Sequence, residues 1–92
     1  MNAVSRRLQK MAAQLERWGA RVEVVAAHAQ KAGLHASIYE HQRVDEVKAL
    51  YVIARTRFDE YSAADEAGRR SLEGSLRDAW TDMAGAISSS RR

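Results

Sequence analysis

Residues 4–39 read VSRRLQKMAAQLERWGARVEVVAAHAQKAGLHASIY, and the spacing of their apolar and small positions decides the fold. Val4, Leu8, Met11, Leu15, Trp18, Val22, Val25, Ala29, Ala32, Ala36 and Tyr39 are separated by alternating steps of four and three. That is a heptad seam, the stripe of a helix lying against another helix in a left-handed supercoil. At about 1.5 Å per residue, one helix over this stretch would be roughly 50 Å long.

The flank of the seam says how many neighbours to expect. With Leu8 at heptad position a, the e positions are Ala12, Gly19, Ala26 and Gly33, and the f positions Ala13, Ala20 and Ala27 are small as well. A two-stranded coil usually carries Glu or Lys at e and g. Here one side is stripped to Ala and Gly, so the apolar face is wide and a second neighbour can approach closely. Helix 1 therefore touches two others, in a bundle or an oligomer.

Past Tyr39 the register meets Arg43 and Glu46 and fails, then resumes one residue out of phase at Val44, Val47, Tyr51, Ala54, Phe58 and Tyr61. A slip of one residue marks either a skip within a continuous helix or a nearby turn. Gly33, after Lys31 and Ala32, has the placement of a helix C-terminal cap. Against a break there, the heptads run through Gly33, and one interior glycine costs only about 1 kcal/mol. The strongest break lies at Ser62–Gly68, where Ser62 suits an N-cap and Asp65 and Glu66 favour a first helical turn. Beyond it, Leu72, Leu76, Trp80, Met83 and Ile87 form a third apolar stripe, with Ala79 beside it. At the start of the chain, Asn2 or Ser5 is placed to cap the first helix.

The predicted fold is all-α: an antiparallel, coiled-coil-like helical bundle in one domain spanning 1–92, with 88–92 a frayed tail. Two layouts fit. One has three helices near 3–32, 35–61 and 63–88, with Trp18 and Trp80 at similar depth. The other has a helix near 3–61 with a shorter one folded back on it, and its leftover apolar half requires a second chain. An oligomer is expected, with Leu8, Met11, Leu15, Trp18, Val22 and Val25 as the candidate self-association seam.

Composition agrees with helix throughout, since proline is absent and Ala, Leu, Glu, Gln, Lys and Arg dominate. Cysteine is also absent, which removes disulfide and thiolate–metal chemistry. Arg6, Arg7 and Lys10 are not followed by an apolar run, so neither a signal peptide nor a membrane span is expected, and a cytoplasmic location is the default. The net charge of +3 is unevenly spread. Arg6, Arg7, Lys10, Arg17, Arg21 and Lys31 face only Glu16 and Glu23 in the first 31 residues, whereas residues 32–90 are mildly acidic. Helices of opposite charge suit each other as well as they suit an outside partner.

The segment Leu15-Glu16-Arg17-Trp18-Gly19-Ala20-Arg21-Val22, with Lys31-Ala32, Ala36, Ile38-Tyr39 and later Asp78-Ala79-Trp80, resembles the small bacterial coiled-coil proteins described as stress-response proteins. Trp18, Ala20, Val22, Gly74 and Trp80 fit that pattern across nearly the whole chain. Gly68 departs from it, standing where the first of two later tryptophans is expected. The resemblance implies a helical, self-associating protein with a role in stress tolerance, and it carries over no catalytic residue.

Other chemistry finds little footing. His28 and His35 lie two turns apart, about 10 Å by helical rise, too far for one ion on one helix. His41 and Asp45 are one turn apart but lack two further ligands. Asp45/Glu46, Asp59/Glu60 and Asp65/Glu66 are adjacent pairs whose side chains diverge on a helix, which suits surface ion pairs rather than acid–base catalysis. No nucleophile motif or phosphate loop is present, so no enzyme activity, metal or cofactor is expected. Arg6, Arg7, Lys10, Arg17 and Arg21 are the candidate contact for an anionic partner, nucleic acid or membrane, though no nucleic-acid reader motif accompanies them. The last helix, with Arg69, Arg70 and Arg77 opposite its apolar stripe, also has the form of an interfacial membrane helix. The same stripe serves equally as core. A protein partner, as in a subunit of a larger complex, is compatible with every residue.

Overall fold

The computed structural model describes residues 3–33 and 37–89. They form three helices, α1 (Ala3–Ala32), α2 (Ile38–Ala63) and α3 (Glu66–Ser89), packed on one another. Contacts between helices give the direction of each. Arg7 reaches Tyr61 while Gly19 lies against Tyr51, so α1 and α2 run antiparallel. Arg7 also reaches Glu73 and Trp18 meets Trp80, so α1 and α3 run parallel. The result is an up–down–up bundle measuring 49 × 22 × 19 Å.

Each boundary has a local cause. Gly33 closes α1 in the left-handed region at φ +56°, a conformation that favours glycine. The heptads therefore do not continue through it, and Tyr39 lies 70% exposed rather than on the seam. The one-residue slip in register is the trace of this turn. Ser37 caps α2, its Oγ accepting from the Glu40 amide at 3.1 Å. At the second turn Ser62 does not cap α3; it remains within α2, with Oγ donating to the Asp59 carbonyl. Asp65 takes that role, its Oδ1 accepting from the Gly68 amide at 2.8 Å. An aspartate at this place satisfies an orphan amide and brings negative charge to the helix N-terminus. Arg69 ties the turn together from the other side, its Nε and Nη2 donating to the carbonyls of Tyr61 and Ser62. Ser5 lies inside the first turn of α1 rather than before it, and Asn2 is outside the described residues. Ser88 and Ser89, expected to fray, belong to α3.

The core has two connected parts. Leu15, Trp18 and Val22 of α1 pack with Val47 and Ala54 of α2 and with Ala79, Met83 and Ile87 of α3. Met11, Tyr61 and Leu76 form the second part. Phe58 and Trp80 pack against both, Trp80 lying 4.9 Å from the Trp18 ring and 6.2 Å from that of Phe58. The small flank of α1 has the expected use: Tyr51 lies so close over Gly19 that a Cβ there would stand 2.8 Å from its hydroxyl. No polar or charged residue is buried among the described residues.

Candidate interaction surface

The first candidate surface, the α1 seam, is occupied from within the chain. Met11, Leu15, Trp18 and Val22 are buried, and Leu8 and Val25 are half-buried. The wide apolar face of α1 needs two neighbouring helices, and α2 and α3 of the same chain supply both. Two folded chains meeting each other therefore need a different surface. The stripe of α3 has the same fate. Leu76, Met83 and Ile87 are buried, and this places in the core the residues that an interfacial membrane helix would have to turn outward.

The five cations proposed for an anionic partner are separated by the fold. Arg7 forms a two-pronged pair with Glu73, Nη2 donating to Oε1 at 2.7 Å and Nη1 to Oε2 at 3.0 Å. Nη1 also donates to the Tyr61 hydroxyl at 3.0 Å, and the guanidinium lies over the Tyr61 ring. The hydrogen bond from Arg7 holds the Glu73 carboxyl below its ordinary pKa. The same hydrogen bond raises that of Arg7. Arg7 is thus a joint between α1, α2 and α3. Arg21 is half-buried. Arg6, Lys10 and Arg17 are exposed, and Arg17 donates to the side chain of Gln14 at 2.6 Å.

At one end of the bundle a cleft of about 820 Å³ opens between the C-terminus of α1, the start of α2 and the end of α3. His28, Glu40 and Arg43 line it together with Tyr39, Ser88 and Ser89. His41 is turned to the first loop, its Nε2 3.3 Å from the Gly33 carbonyl, and His35 lies outside the described residues. Among the described residues no three metal-ligating side chains converge. No helix there is long and apolar enough to cross a membrane.

What remains is a surface that the reading of seams alone overlooks. The buried face of α2 carries Val44, Val47, Ala54 and Tyr61. Its opposite face carries Ala49, Val52, Ile53 and Thr56, all exposed, with Val52 at 61% and Ile53 at 45%. Apolar residues on both sides leave α2 with almost no net amphipathicity, unlike α1 and α3. A helix in a small bundle needs only one apolar face for its own fold. The stripe of Val44, Val47, Tyr51, Ala54, Phe58 and Tyr61 accounts for one face of α2, and Ala49, Val52, Ile53 and Thr56 lie off it.

No family model, curated protein or solved structure matches the chain. The surface itself carries the functional reading.

Proposed function

We propose that this protein is a non-enzymatic helical interaction module that associates with itself in the cytoplasm through the outward face of α2. The observation behind this is the exposed Val52–Ile53 patch on a helix that already buries its other face. Covering such side chains removes apolar area from water at about 25 cal/mol per Å². The resemblance to small bacterial stress-response proteins points to stress tolerance as the setting.

Sedimentation across concentrations tests the reading. The wild-type chain is expected to associate, and Val52→Asp to be a monomer of unchanged helicity. A Val52→Asp protein that associates like the wild type would defeat it. The rival reading, contact with DNA or anionic lipid, keeps Arg6, Lys10 and Arg17 of its original five as exposed cations outside an ion pair, because Arg7, though exposed, is paired with Glu73 and Arg21 is half-buried. Binding to DNA or anionic vesicles at ~150 mM salt, where the Debye length is about 8 Å, would favour that rival.

A further inference from the structure

We infer that the outward face of α2 docks antiparallel on the outward face of α1 of a second copy, in a head-to-tail contact. This rests on the reading of α2 as an interaction face and adds the identity of its partner surface.

The two outward stripes have matching lengths and opposite ends. On α1, Arg17, Ala20, Val24, Ala27 and Lys31 recur at steps of three and four, and all are exposed. On α2, Asp45, Ala49, Val52, Thr56 and Asp59 recur at steps of four and three, and all are exposed. One stripe is basic at both ends and small or apolar between; the other is acidic at both ends and small or apolar between. Laid antiparallel, Arg17 meets Asp59, Ala20 meets Thr56, Val24 meets Val52, Ala27 meets Ala49 and Lys31 meets Asp45. Every layer then pairs an a position with a d position, as antiparallel seams require. The small residues permit an interaxial distance near the lower end of the usual range of about 8–10 Å. Arg17 donates to Gln14, which is neutral, so its charge stays available to Asp59 of the other copy.

Flanking charges choose the direction. On α1, Glu16 and Glu23 lie on one edge of the stripe; on α2, Lys48 and Arg55 lie on one edge and Glu46 and Glu60 on the other. Antiparallel docking sets Glu16 and Glu23 beside Lys48 and Arg55. Parallel docking would set them beside Glu46 and Glu60, and like charges brought together oppose association. Pairing α2 with α2 of another copy fails on the same ground: parallel docking sets Asp45 on Asp45 and Asp59 on Asp59, and antiparallel docking in a–d layers sets Lys48 beside Arg55. The α1 and α2 stripes point away from the core in different directions on each molecule, so the contact is heterologous and continues from copy to copy as a ring or filament.

Two charge-reversed proteins test this. Asp45→Lys with Asp59→Lys makes both outward faces basic, and Arg17→Glu with Lys31→Glu makes both acidic. Each alone is expected to sediment as a monomer of wild-type helicity. Mixed one to one, they are expected to regain association, since basic and acidic faces again alternate. Val24→Asp is expected to abolish association as Val52→Asp does. A charge-reversed protein that associates alone, or a mixture that stays monomeric, would overturn the α1–α2 pairing. If Val52→Asp still abolished association in that case, α2 would remain the interaction face with a different partner surface. A wild-type chain that is monomeric at every concentration would overturn both.

Discussion

Trp18 and Trp80 meet where α1 passes α3, their ring centroids 4.9 Å apart and their planes inclined by 55°. The tilted arrangement is one that aromatic quadrupoles favour, and such a pair adds about 0.5–1.5 kcal/mol to the area it buries. Trp80 also packs against both parts of the core, so the pair joins them. Trp18 is buried and Trp80 is half-buried. Trp18→Ala is therefore expected to lower stability by about 3–5 kcal/mol, and Trp80→Ala by less. Urea unfolding followed by circular dichroism gives both values, and the reverse order would argue against this packing.

The Arg7–Glu73 pair gives a pH dependence with a defined sign. The Glu73 carboxyl is held below the usual value of 4.5 by its hydrogen bond from Arg7. A carboxylate with a lowered folded pKa contributes stability that is present in full above its unfolded pKa. That contribution is lost as pH falls from about 4.5 through the lowered folded value. With side chains 42% and 35% exposed, the pair is worth about 0.2–1 kcal/mol at neutral pH. Glu73→Gln is expected to lose that amount at pH 7 and to match the wild type more closely in acid. Thermal melts at a series of pH values show whether the two curves converge.

Glycines at two helical positions should respond differently to alanine. At Gly74 nothing lies within 4 Å of an added Cβ, so the gain in helix propensity of about 1 kcal/mol is realised. At Gly19 the same Cβ meets the Tyr51 hydroxyl at 2.8 Å and Cζ at 3.1 Å. Gly74→Ala is expected to raise the melting temperature. Gly19→Ala is expected not to, and Tyr51→Phe in the Gly19→Ala background recovers part of the loss.

Capping offers a test of the second turn. Asp65→Ala is expected to cost about 1 kcal/mol, because the Gly68 amide loses its acceptor. Ser62→Ala should stay within about 0.5 kcal/mol, its hydroxyl bonding only the Asp59 carbonyl among the contacts resolved for it. Equal effects at both positions would place the cap wrongly.

The sequence disclosed the bundle because burial in helices leaves a periodic trace. Leu15, Trp18 and Val22, Val47 and Ala54, and Leu76 and Met83 were all legible as stripes and all lie in the core. The choice between one long helix and two was not legible from periodicity alone. The chance continuation of the heptads through Gly33 to Tyr39 competed with a glycine cap, and backbone conformation decided for the cap. A local signal did exist: Ser37-Ile38-Tyr39-Glu40 has the Ser-x-x-Glu spacing of a helix start, and Ser37 does cap α2. The role of Arg7 was out of reach, since Glu73 and Tyr61 are brought to it only by the fold. The outward stripes of α1 and α2 were legible in spacing but became meaningful only once the inner faces were known to be filled.

The α1 seam is closed within one chain, so the bundle needs no second copy to fold. Urea unfolding of the Val52→Asp protein over a roughly hundredfold dilution checks this, because a fold that requires a second chain loses about 2.7 kcal/mol over that range. The expected result is one cooperative transition whose midpoint does not move with concentration. A midpoint that falls steadily on dilution would show that the seam is shared between chains, and would contradict the closed bundle.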